Sequence, residues 1–159
     1  MNIQPLIKTL GEKKLVGKSI KMTFANNKTS DLWRSFMPHR NQIPNKVNPD
    51  MISMQLYPES FDFSPHTPFE KWATVEVSDF SAIPEGMESF VLKAGDYAVF
   101  LYKGLSTDHS IFEYIFSKWL PQSEYELDSR PHFEVLGSKY KNNDPVSEEE
   151  IWIPIKLKS

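Results

Sequence analysis

At residues 130–137 the chain reads RPHFEVLG, and at residues 51–57 it reads MISMQLY. Both runs have the length and composition of strands. Side chains alternate along a strand, so Phe133 and Val135 share one side while His132, Glu134 and Leu136 share the other. Shifting the chain on itself by about 79 residues lays Met54 and Leu56 over Phe133 and Val135, and Gln55 over Glu134. That offset is close to half of the 159 residues, as a tandem duplication requires.

The same shift aligns the elements around both runs. Upstream of the first lie an alternating strand, Lys14–Phe24, and a helix carrying Leu32, Trp33, Phe36 and Met37, with Thr29 or Ser30 as its cap. Downstream come the turn-like segment PESFDFSPHTP and a strand over Phe69–Val77. In the second half, an extended stretch over Glu88–Lys103 breaks at Ala94–Asp96. A helix follows, capped by Ser106 or Thr107, with Ile111, Phe112, Ile115, Phe116, Trp119 and Leu120 near a 3.6-residue period. Pro121 lies just past that stripe and opposes its continuation. The last strand, Glu150–Leu157, sets Ile151, Ile153 and Ile155 on one side and Trp152 on the other.

The expected fold class is therefore α+β. One domain over residues 1–159 is built from two βαββ halves, about 13–80 and 88–159, related by a pseudo-two-fold axis. The antiparallel sheet carries its helices on one face and a ligand cleft on the other. With Phe133 and Val135 turned toward the helices, Glu134 and His132 face the cleft, where parity also puts Trp152 and Tyr57. Glu134 is then an acid in an otherwise apolar strand. It is either a hydrated or paired surface group, or a counter-charge at the floor of an aromatic cavity. Parity leaves Tyr97 unassigned. Trp33, near a helix start, is the helix aromatic best placed to reach the opening.

Composition limits the function classes. A net charge of −3 provides no basic footprint for nucleic acid. No cysteine is present, which removes disulfide and thiolate chemistry. Neither a secretory leader nor an apolar run near the ~20 residues needed for a bilayer span occurs, so a cytoplasmic protein is expected, away from membranes. No cofactor is expected, and His39, His66, His109 and His132 lack metal-ligand spacing. Aromatic residues make up 13% of the chain, enough to wall a cavity for planar or cationic molecules.

The segments IPEGMESFVLKAGDYAVFLYKG, SKWLPQSEYEL, RPHFEVLG and DPVSEEEIWIPIK, in that order, resemble the GyrI-like or AraC-type effector-binding domain. LVGKSIKMTFANNKTSDLWRSFMP resembles its first repeat. The resemblance implies the duplicated fold and a cleft for amphipathic or cationic aromatic compounds, as in multidrug-responsive bacterial activators. It implies that Glu134 meets the ligand's positive charge, with Tyr97 and Trp152 among the surrounding aromatics. No helix-turn-helix flanks the segment, so a free-standing binding module is expected, with a DNA-binding regulator or gyrase as possible protein partner. Two alternatives stand beside small-molecule binding. Some GyrI-like relatives are hydrolases of reactive electrophiles, which would make Glu134 a general base with Tyr97 as hydrogen-bond donor and His132 as a possible dyad partner. A gyrase-inhibitor-like module would instead use the acidic cluster Glu148–Glu150.

Overall fold

The computed structural model describes residues 3–159. Nine strands alternate with short helical pieces among them: β1 (Leu6–Leu10), β2 (Lys13–Met22), α1 (Thr29–Phe36), a 3-10 turn over Met37–Gln42, β3 (Met51–Leu56), β4 (Phe69–Val77), β5 (Glu88–Leu92), β6 (Gly95–Lys103), α2 (Ser110–Tyr114), a π turn over Ile115–Trp119, α3 (Leu120–Gln122), β7 (Tyr125–Leu127), β8 (His132–Leu136) and β9 (Glu148–Leu157). The α+β class and the antiparallel pairing agree with the sequence. The periodic strands fall where expected, whereas β1 and β7 are additions. LIKTL is short and has one buried residue, Leu10, so it carries no alternation to read. Its strand state comes from pairing, with Leu6 opposite Val99 and Leu10 opposite Gly95.

Both helix starts differ from expectation in the same way. Thr29 and Ser30 lie inside α1, and the Asn27 carboxamide oxygen accepts from the Thr29 N–H. In α2 the Asp108 carboxylate accepts from the Ser110 N–H. Asn and Asp do here what a hydroxyl was expected to do. Pro121 does not end the second helix. It sits in the first turn of α3, where a missing N–H costs nothing, directly after the widened π turn.

Sheet order is β1-β6-β9-β8-β3-β4-β2-β5, with β7 on the end of β9. Read outward from the central β3–β8 pair, the flanks are β4-β2-β5 and β9-β6-β1. On one face α1 packs Leu32 and Phe36 onto Val16, Ala73, Val75 and Val77 of β2 and β4. On the same face Ile111 and Ile115 pack onto Ala98, Phe100, Ile151, Ile153 and Ile155 of β6 and β9. Each helix covers an outer strand pair, and the central β3–β8 pair runs between them.

The opposite face is drier than a wet trough. Ile52, Met54, Trp72, Tyr97, Val99, Phe133 and Trp152 form one cluster there, closed at the sides by Leu10, Leu15 and Leu92. Gly17 lets the sheet draw in: a Cβ at this position would stand 1.9 Å from the Ala73 carbonyl oxygen. What stays open on this face is a cleft of about 180 Å³ beside Phe133 and Trp152, with Lys13, Asp50 and Glu76 at its rim.

This arrangement corrects one expectation. Phe133 and Val135 do share a side, as do His132, Glu134 and Leu136, but the sides are exchanged: Phe133 packs away from the helices and Glu134 lies on the helix face. The reason is the spacing of the helices. Neither covers β3 or β8, so the apolar side of β8 finds its partners on the back of the sheet.

Candidate functional site

Three charged groups project into the strip between the helices. Glu134 of β8 stands opposite Ser53 of β3 and Ile151 of β9. Lys71 of β4 is paired with Gln55, which is paired in turn with His132. Glu149 of β9 lies opposite Tyr102 of β6. Period two therefore puts Glu134, Lys71 and Glu149 on one face through register alone. Lys71 is only 8% exposed. The Gln55 carboxamide Nε2 donates to Glu134 Oε1 at 3.1 Å. Among the described residues no hydrogen bond or close ion pair joins Lys71 to either glutamate, so the three charges share an enclosure without forming a tight bridge.

Burial governs how they titrate. It raises the Glu134 carboxyl above the usual carboxylate range, opposed by the Lys71 charge and the Gln55 hydrogen bond. Glu149 is pushed up to about 7 by burial and then by the Glu134 charge, with Lys71 opposing. Burial lowers the Lys71 ammonium, and the two glutamates pull it back up. Each ion is costly alone: the Lys71 ammonium limits the cost of both carboxylates, whereas the Glu134 charge adds to that of Glu149.

An aromatic wall stands beside this floor. Tyr57 stacks on Phe61 at 4.6 Å and meets the His132 ring edge-on at 4.9 Å. Phe63 packs on Phe116 of the π turn at 5.3 Å, and Phe116 lies 6.1 Å from His132. The segment between β3 and β4 delivers Phe61 and Phe63, with Ser60 and Phe63 in the left-handed region at φ 60° and 57°. Asp62 holds that bend by accepting from the Ser64 N–H and the Thr67 hydroxyl. Burial alone pushes His132 down to about 3, so its imidazole is neutral. Tyr57 is pushed up, by burial and then by the Glu134 charge, so its phenol keeps its proton.

Of the residues singled out from sequence, Glu134, His132 and Tyr57 come together here. Trp152 and Tyr97 do not. Trp152 stacks on Phe133 at 5.2 Å on the back of the sheet, its indole N–H donating to Glu150. Tyr97 is fully buried beside it, under the Arg130 guanidinium at 4.6 Å. Trp33, partly buried, packs edge-on against Phe36 at 5.7 Å, beside the core under α1. Sequence reading missed Lys71, Glu149, Phe61, Phe63 and Phe116. A charged residue between Glu70 and Trp72 in an otherwise β-rich run was the available signal for Lys71. Glu149 was read only within the acidic cluster Glu148–Glu150 and Phe116 only within the helix stripe, and nothing local marks Phe61 or Phe63. No cluster of His, Asp and Glu among the described residues is arranged to hold a metal. No helix there is long and apolar enough to cross a membrane.

An antiparallel sheet with two helices on one face, and a buried acid in an aromatic strip between them, defines the class: a GyrI-like effector-binding fold. The family is more specific. Residues 6–155 match the model of Cass2, the integron-associated effector binding protein, and the chain belongs to that family. It is 30% identical over 126 residues to the transcriptional regulator BrlR of Pseudomonas aeruginosa, covering 78% of this chain and 45% of that protein, so it spans about half the relative's length. Two solved structures share the fold. An integron cassette protein from Vibrio cholerae aligns over 97% of both chains with a TM-score of 0.66 at 16% identity. SAV2435, solved bound to tetraphenylphosphonium, aligns over 97% of this chain and 94% of that one, with a TM-score of 0.65 at 17% identity.

Proposed function

We propose that this protein binds small aromatic cations in the strip between α1 and α2, with Glu134 as counter-charge and Tyr57, Phe61, Phe63, Phe116 and His132 as the stacking wall. The observation that carries the reading is Glu134 itself. A carboxylate held in by burial, with one hydrogen bond from Gln55 and aromatic rings nearby, gains from a delocalised positive charge that costs little to desolvate. Tetraphenylphosphonium, found on SAV2435, is a ligand of that chemistry.

The reading favours binding over hydrolysis. Tyr97, the hydrogen-bond donor a general-base mechanism would draw on, is on the other side of the sheet from Glu134. His132 is enclosed by rings, and burial makes its imidazole a weak base, which speaks against a part in a dyad. The site is proposed to serve one domain spanning residues 1–159, whose halves at about 13–80 and 88–159 repeat one unit. Met54 stands directly opposite Phe133, the residue the 79-residue offset lays over it, which supports a two-fold through that pair.

Titration calorimetry with tetraphenylphosphonium, and with uncharged triphenylphosphine oxide as its control, tests the proposal. The cation is expected to bind at least tenfold more tightly, about 1.4 kcal/mol, and Glu134→Gln to remove that preference. Equal binding of both ligands, or a cation preference unchanged in Glu134→Gln, would overturn it.

A further inference from the structure

Two carboxylates and one ammonium meet in the strip between the helices, and the ammonium is the group that binding of a cation does not explain. Lys71 is 8% exposed, in the middle of β4, with Trp72 and Ala73 buried beside it. A lysine at such a position loses most of its hydration, and a methionine or leucine of similar volume would fill the space without that cost. Its charge is felt by Glu134 and by Glu149, yet among the described residues it makes a close ion pair with neither. Among the described residues no hydrogen bond holds its ammonium, whereas Glu134 is held by Gln55.

We propose that Lys71 is the resident counter-ion of the site, a tethered cation that cancels one of the two carboxylates and so restricts the site to ligands carrying a single positive charge. The inference rests on the cation-binding reading of the same strip and adds the charge class of the ligand. The counting is direct. With both glutamates ionised and Lys71 charged, the enclosure holds a net charge of −1. One ligand cation brings it to zero. A second has no counter-charge and must be desolvated against the Lys71 ammonium, which repels it. Removing the ammonium alone leaves two carboxylates for the ligand, and the restriction disappears. Lys71 thus acts on specificity through repulsion, while Glu134 acts through attraction.

A matched pair of ligands tests this: N-methyl-4-phenylpyridinium, with one charge, and N,N′-dimethyl-4,4′-bipyridinium, with two on a frame of the same size. Both are titrated calorimetrically into the wild type, Lys71→Met and Glu134→Gln at pH 8. The wild type is expected to prefer the monocation by at least tenfold. Lys71→Met is expected to bind the monocation more tightly and to cut the preference to threefold or less, or invert it. Lys71→Gln, which also removes the charge but keeps a polar end, is expected to behave alike and covers a failure of the methionine variant to fold. A wild type that binds the dication as tightly as the monocation overturns the proposal without any variant. So does a preference left intact in the folded Lys71 variants. If neither ligand binds the wild type, or Glu134→Gln binds both unchanged, the cation-binding reading of the site fails instead.

Discussion

Phe133 and Glu134 are neighbours on one strand, and they face two different environments. Behind the sheet, Phe133 lies between Tyr97 and Trp152 in a dry aromatic core. In front, Glu134 meets Gln55, Lys71 and Glu149, with a wall of rings to one side. Both environments are rich in aromatics, so aromatic content does not distinguish them. Coverage does. The back closes because the sheet draws in and brings Leu10 and Leu92, from its two edge strands, against the sides of the cluster. The front stays receptive because α1 and α2 each sit on an outer strand pair. The proposed ligand strip lies where two helices stop short of each other, and the core lies where the sheet draws in on itself.

The sharpest way to break this comparison is to truncate on the dry side. Phe133→Ala is expected to destabilise the fold by about 3–5 kcal/mol in urea unfolding, the range for a large buried ring. Glu134→Gln, one residue on, is expected to leave stability equal or higher while weakening cation binding. If the two variants exchange these phenotypes, the assignment of faces fails.

Acid acts next, and on the front alone. The unfolded His132 imidazole takes up a proton near 6.5 and the folded one only near 3, so between these values the unfolded state binds more protons and stability is lost as pH falls. Glu149 opposes it, since its folded carboxyl is already protonated below about 7 while the unfolded one waits until about 4.5, and stability rises as pH falls through that window. The two offset each other from 6.5 to 4.5, and His132 dominates below. His132→Phe is therefore expected to retain about 2 kcal/mol more stability than the wild type on going from pH 4.5 to pH 3, at ~1.4 kcal/mol per pH unit. Thermal unfolding across pH checks it, and parallel acid losses in both proteins would remove His132 from the account.

Ligand affinity is expected to fall as pH falls, opposite to the contribution Glu149 makes to stability. A cation favours ionised Glu149, whose facing groups are Glu134, Lys71 and Tyr102. Affinity for tetraphenylphosphonium is expected to rise about tenfold from pH 6 to pH 8, with the rise centred near 7 and absent in Glu149→Gln. The smallest effect belongs to the wall. Phe63 is 38% exposed, so Phe63→Ala is expected to cost about 1 kcal/mol of binding and little stability, from the ring contact it gives up. A loss of stability larger than the loss of binding would make Phe63 part of the core rather than of the site.

Much of this molecule can be read along its sequence. The strand MISMQLY, the exact span of Phe69–Val77 and the stripe through Ile111 and Ile115 are local patterns, and each appears in the structure as an element. So is the sharing of sides by His132 and Glu134, because alternation is a property of the strand alone. The resemblance through RPHFEVLG and DPVSEEEIWIPIK already pointed to an effector-binding family and to Glu134. Which side faced the helices was not local: Phe133 and Glu134 exchange faces without altering a residue of the pattern, and only the distance between α1 and α2 settles it. The same holds for the company Glu134 keeps. Lys71 and Glu149 lie on different strands, brought to one face by pairing registers through β3 and β9, and Phe63 and Phe116 meet only after a loop and a π turn have placed them. Alternation and periodicity are carried by neighbours in the chain, whereas a charge cluster and its aromatic wall are made of contacts between segments far apart in it. The sequence therefore determined the elements and the acid at the centre, and the tertiary structure decided what surrounds that acid.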